Sequence, residues 1–223
     1  MKHYDAVLFD MDGTLLDTLE DLRDSVNAVL AGVGYPLRTL DEIRAAVGYG
    51  VERLIEASVP GGREDERFDD VVRAYRAYYP AHCEIKTRPY PGVTGLTEKL
   101  KKAGIRTAVV SNKPHSTTCS LSEKLFPAID VACGEQESNG IRRKPAADMI
   151  DWTVARLGVP KEKCVYIGDS EVDVLTAKNA GMDVISVLWG FRDRAVLEKA
   201  GATRFAETAD ELGALLMGAE HGR

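Results

Sequence analysis

Five short, nearly continuous apolar runs set the strongest limit on what this chain can fold into. They are Ala6-Val7-Leu8-Phe9, Thr107-Ala108-Val109-Val110, Ile129-Asp130-Val131-Ala132-Cys133, Cys164-Val165-Tyr166-Ile167 and Val184-Ile185-Ser186-Val187-Leu188. A strand with one wet face alternates apolar and polar residues, and these runs do not. They are expected to be buried on both faces, as in a parallel sheet. Amphipathic stretches over 96–102, 146–157 and 171–180 lie between them, and each is followed by a glycine (Gly104, Gly158, Gly181) suited to a helix C-terminus. Strand and helix in repeated alternation give an α/β chain with a parallel sheet and helices on both faces.

The rhythm breaks once. The first run ends at Phe9 and the second begins near residue 106, although a crossover needs only a few dozen residues. About 70 residues are therefore inserted, and their periodicity is helical. Leu19, Leu22, Val26, Val29 and Leu30 share one helical face. Phe68, Val71, Val72, Tyr75, Tyr78 and Tyr79 share another, expected to pack as core. Thr39-Leu40-Asp41-Glu42 reads as a capping box, and Gly61 to Arg67 as a solvated loop. The expected division is a core of 1–16 and 84–223 with an α-helical unit over 17–83. Gly218 to Arg223 reads as a frayed tail.

Composition narrows the function. Of 223 residues, 29 are Lys or Arg and 35 Asp or Glu, a net charge of −6 that disfavours a nucleic-acid partner. No run approaches ~18 apolar residues, so no membrane span is expected, and the N-terminal apolar run is too short for a signal peptide. The 4 cysteines form no CxxC pair and read as reduced thiols of a cytoplasmic protein.

Ligands of an open α/β sheet bind beyond the carboxyl ends of its strands. There the first strand delivers Asp10-Met11-Asp12-Gly13-Thr14, and the second delivers Ser111-Asn112-Lys113. A later one delivers Gly168-Asp169-Ser170-Glu171-Val172-Asp173, and Lys144-Pro145 precedes a core helix. Any one of these could be a helix cap or turn residue. Three separate strands ending this way point instead to a site. Converging carboxylates repel unless a cation joins them, and hard oxygen donors favour Mg²⁺.

These four segments, in this order, resemble the motifs of the haloacid dehalogenase-like hydrolase superfamily, whose first motif is D-x-D-G-T. The likeness spans about residues 4 to 215 and implies a Rossmann-like core, with the helical insertion as its cap. It also implies roles. Asp10 is the nucleophile that becomes an aspartyl phosphate, and Asp12 the general acid and base that selects phosphatase over dehalogenase chemistry. Lys144 is the catalytic cation. Mg²⁺ is held by Asp10, the backbone carbonyl of Asp12, and Asp169, with Asp173 holding a metal-bound water. Ser111 and Asn112 face the phosphoryl group, and Thr14 orients Asp12 or the turn around it.

Val110-Ser111-Asn112-Lys113-Pro114, Val47-Gly48-Tyr49-Gly50, Gly190-Phe191 and Gly201-Ala202 resemble the phosphoglycolate phosphatases within that superfamily. The implied substrate is a small phosphorylated metabolite, 2-phosphoglycolate first. Gly48, Gly50 and Arg53 are expected to read its leaving group from the cap. The alternatives are a β-phosphoglucomutase-like enzyme, or a phosphatase of pyrophosphate, nucleotides or sugar phosphates. A monomer or homodimer is expected.

Overall fold

The computed structural model describes residues 3–218, so the expected tail beyond Gly218 lies outside the described residues. In chain order the elements are β1 (Ala6–Phe9), β2 (Leu16–Asp17), α1 (Leu19–Gly32), α2 (Leu40–Ala46), α3 (Val51–Ser58), α4 (Phe68–Tyr78), β3 (Arg88–Pro89), α5 (Val93–Lys102), β4 (Arg106–Pro114), α6 (His115–Leu125), β5 (Val131–Glu135), α7 (Asp148–Leu157), β6 (Cys164–Gly168), α8 (Glu171–Ala180), β7 (Asp183–Val187), α9 (Arg194–Ala200), β8 (Phe205–Ala206) and α10 (Ala209–Met217). Six strands form one sheet in the order β5-β4-β1-β6-β7-β8, and each registered pair is parallel. β2 and β3 pair separately.

The apolar runs behave as two-faced strands. All four residues of β1 are buried, as are all five of β6. Register then places the site. Phe9 of β1 stands opposite Val109 of β4 on one side and Ile167 of β6 on the other. The chain beyond those three positions carries Asp10, Ser111 and Asp169, so adjacent strand ends bring them to one edge of the sheet.

Two compact units are present. One is Leu16–Arg88, and the other holds the rest of the described chain. The first extends beyond the expected 17–83 because buried Asp21 of α1 accepts the backbone N–H groups of Lys86 at 2.9 Å and Thr87 at 2.8 Å. That carboxylate ties the returning segment to the helix. Within this unit Leu19, Leu22, Val26, Val29 and Leu30 of α1 are buried, as are Phe68, Val71 and Tyr75 of α4. Tyr75 stacks on Tyr79 with ring centroids 5.1 Å apart, so the tyrosine stripe is mostly core. Val72 and Tyr78 are only partly buried, and Tyr78 stacks on His82.

The capping box at α2 forms from both ends: Glu42 N–H donates to Thr39 Oγ1, and Thr39 N–H donates to Glu42 Oε2. α2 has seven residues, too few to be stable alone, so its first turn depends on this cap. Thr39→Ala should cost about 1 kcal/mol in urea unfolding and leave the fold unchanged.

Three core helices, α6, α9 and α10, were not expected from the sequence pattern. Nor was the length of β4, which continues through Ser111-Asn112-Lys113 with all three residues buried. All four cysteines are free thiols; Cys119 is half-buried and the others are buried.

Candidate active site

Asp10 leaves β1 into a turn that brings the chain back beside β6. Gly13 makes the turn with φ +82°, and a Cβ there would collide with the Asp169 carboxylate. Gly190, after β7, packs against the other side of Asp169, where a Cβ would collide with the carboxylate and the Gly13 carbonyl. The Asp169 carboxyl group is then held from two directions. Thr14 Oγ1 donates to its Oδ1 at 2.9 Å, and the Phe191 N–H donates to its Oδ2 at 2.8 Å. Trp189 Nε1 donates to the Thr14 carbonyl at 3.0 Å. The Thr14 hydroxyl therefore orients Asp169, where the expectation was Asp12 or the turn around it.

Lys144 is the hub. Its ammonium lies 2.9 Å from Asp10 Oδ1, 2.8 Å from Asp173 Oδ1 and 3.1 Å from the Tyr166 hydroxyl. Those three partners match the three N–H groups of an ammonium. Tyr166 in turn donates to the Val110 carbonyl at 2.7 Å. Asn112 was expected on the phosphoryl group. Its side-chain amide instead spans the backbone of Lys144, with Nδ2 donating to the carbonyl at 2.9 Å and Oδ1 accepting the N–H at 2.8 Å. Asn112 thus fixes where the lysine stands. Asp173 Oδ2 accepts the N–H and hydroxyl of Ser170, so Asp173 also caps α8. Ser111 is buried at the end of β4.

Oxygen atoms of Asp10, Asp169 and Asp173 come within 4.8 Å of one another. All three residues are buried, and one ammonium stands among them. Ionised, the set carries two negative charges more than Lys144 cancels, and all its donors are hard oxygens. This donor set fits a divalent cation such as Mg²⁺. Electrostatics tell the same story. Burial pushes Asp10 up to about 7, and the neighbouring Asp173 and Asp12 charges push the same way against the pull of Lys144. Burial and the charges of Asp173 and Asp10 also raise Asp169. Burial opposes the charge on Lys144, but Asp10 and Asp173 outweigh it and hold the ammonium protonated.

The Asp12 side chain is not in the carboxylate cluster. Its Oδ1 pairs at 2.7 Å with Nζ of Lys113, a strand-end residue with no expected role. The available signal was its position two residues after Ser111. In the other unit, Gly48 and Gly50 have φ +124° and +90°, and Gly50 starts α3. Arg53 is 60% exposed at its side chain and pairs with Glu56 at 2.8 Å. Arg142 pairs with Asp148, and Arg143 with Glu137.

Comparison with known proteins gives one consistent result. Residues 7–187 match the model of the haloacid dehalogenase-like hydrolases. A phosphoglycolate phosphatase of Agrobacterium fabrum is 34% identical over 203 residues, covering 86% of this chain and 83% of that protein. One from Mesorhizobium japonicum is 33% identical over 197 residues, covering 86% of each chain. A crystal structure from Lactobacillus delbrueckii subsp. bulgaricus, described as a candidate phosphoglycolate phosphatase, superposes with a TM-score of 0.91. It is 40% identical and covers 98% of this chain and 100% of its own.

Proposed function

We propose, for a chain that belongs to the haloacid dehalogenase-like hydrolase family and is a phosphatase, that it hydrolyses 2-phosphoglycolate through an aspartyl phosphate on Asp10. The observation that carries this reading is the Asp10–Lys144–Asp173 contact set, with Asp169 alongside. It supplies a buried carboxylate nucleophile, an adjacent cation and oxygen donors for a metal. The substrate is argued from the relatives named phosphoglycolate phosphatase.

Asp10, Asp169, Asp173 and the Asp12 carbonyl would hold Mg²⁺, which neutralises charge on the phosphoryl group and the nucleophile when bound. The remaining chemistry belongs to the chain. An Asp10 oxygen attacks phosphorus as the ester oxygen leaves. Asp12 gives that oxygen a proton, then takes one from the water that releases phosphate. Lys144 pulls Asp10 toward its ionised form against burial and fixes its direction, and Ser111 donates to a phosphoryl oxygen.

The test is a panel of phosphorylated metabolites ranked by kcat/KM. It should include phosphoglycolate, pyrophosphate, nucleotides and hexose phosphates, with and without metal. Phosphoglycolate is expected to rank first. Exhaustive EDTA treatment is expected to remove turnover, and added Mg²⁺ to restore it. A different leading substrate would overturn the substrate assignment, and undiminished turnover in EDTA the metal assignment.

A further inference from the structure

Lys113 is a buried cation to which the mechanism above gives no work. Its side chain is 1% exposed, at the end of β4, where a lysine is seldom found without a specific partner. The partner is Asp12, 13% exposed, with Nζ 2.7 Å from Oδ1. The two residues lie 101 positions apart, so the fold, not local sequence, creates the contact. Asp10 and Asp173 share one ammonium, while Asp12 has its own.

The geometry has a consequence for proton transfer. A carboxylate just past the end of a strand can rotate about two side-chain bonds. A proton carrier must nevertheless meet first the leaving oxygen and then the attacking water within hydrogen-bond reach. We propose that Lys113 is the positioning residue for Asp12: it engages Oδ1 and so fixes Oδ2 as the oxygen that carries the proton. This rests on the phosphatase reading, in which Asp12 is the proton carrier. In the first displacement the Asp10 oxygen–phosphorus bond forms and the ester bond breaks, and the Oδ2 proton moves to the leaving oxygen. In the second, water oxygen bonds to phosphorus, its proton moves to Oδ2, and Asp10 is released. Lys113 neither gains nor loses a proton in either step.

The proposal separates substrates by leaving group. An alkoxide must be protonated as it departs, whereas p-nitrophenolate departs without help. The readout is kcat/KM, which reports events up to departure of the leaving group and is blind to the later hydrolysis. Three substrates are compared: 2-phosphoglycolate, 2-hydroxyethyl phosphate, which lacks the carboxylate, and p-nitrophenyl phosphate. Lys113→Met should lower kcat/KM for both alkyl esters by about 100-fold, mainly through kcat. For the aryl ester the loss should be less than about fivefold. Adding Lys113→Met to Asp12→Asn should cost little more than Asp12→Asn alone. Lys113→Arg, which keeps the charge, should recover part of the alkyl-ester rate and serves as the folded control.

A substrate-dependent loss for Asp12→Asn with equal losses on all three esters for Lys113→Met would overturn the proposal alone. So would a loss for Lys113→Met confined to phosphoglycolate, because Lys113 would then be binding the substrate carboxylate. Equal losses for Asp12→Asn would overturn the proton-carrier reading and this proposal with it.

Discussion

Asp10→Asn is expected to lower kcat by on the order of 10⁴-fold or more while the protein folds normally. The amide keeps the shape of the carboxylate but is a poor nucleophile. The same substitution has a second, opposite effect on stability. Asp10 ionises at about 7 in the folded protein and at about 3.9 in an unfolded chain. The folded state therefore binds more protons than the unfolded state between those values. Its contribution to stability is complete below about pH 4 and is lost as pH rises through about 7. Removing the charge removes that loss. In EDTA at pH 8, Asp10→Asn should unfold at a higher temperature than the parent, by about 2–4 °C per kcal/mol regained. The gap should close toward pH 5. Mg²⁺ should raise the melting temperature of the parent more than that of the variant, because a ligand stabilises only the state it binds. Substantial turnover by the variant would remove Asp10 as nucleophile. A lower melting temperature at pH 8 would contradict the electrostatic account.

Lys144→Met should damage stability and rate together. The ammonium is buried, and its three contacts are Asp10, Asp173 and Tyr166. Methionine fills similar volume but leaves two buried carboxylates facing each other without a cation. Breaking a buried pair by removing one partner costs about 3–5 kcal/mol. For a chain of this size that is a fall of roughly 6–20 °C in melting temperature. Turnover should fall by about 10²–10³-fold, because the charge beside the nucleophile and transferring group is lost. Arginine should not rescue it, since a planar guanidinium cannot reproduce three contacts made by a compact ammonium. An unchanged melting temperature would show that Lys144 is not the counter-charge of the cluster.

Much of this was legible in the residues. Runs such as Ala6–Phe9 have no polar alternation, so burial on both faces followed directly, and the residues just past such strands had to line the ligand edge. Less legible was whatever packing imposed against local preference. α6 begins His115-Ser-Thr-Thr, a poor helix former, and is held by burial of Thr117, Thr118, Leu121 and Ser122. β4 runs on through three polar residues because each finds a buried role. Lys113 pairs with Asp12, Asn112 spans the Lys144 backbone, and Ser111 Oγ accepts the Lys113 N–H at 3.4 Å. Sequence order placed Asn112 and Thr14 near the chemistry. Only the fold revealed that one holds Lys144 and the other Asp169, since both partners are distant in the chain.

In the proposed mechanism the phosphoryl group passes through the enzyme on its way to water. The most direct test of this is the stereochemical course at phosphorus, with a phosphorothioate ester made chiral by two oxygen isotopes and hydrolysed in water of the third. Transfer to Asp10 and then to water inverts phosphorus twice. Net retention of configuration is therefore expected, and net inversion would rule out the aspartyl phosphate.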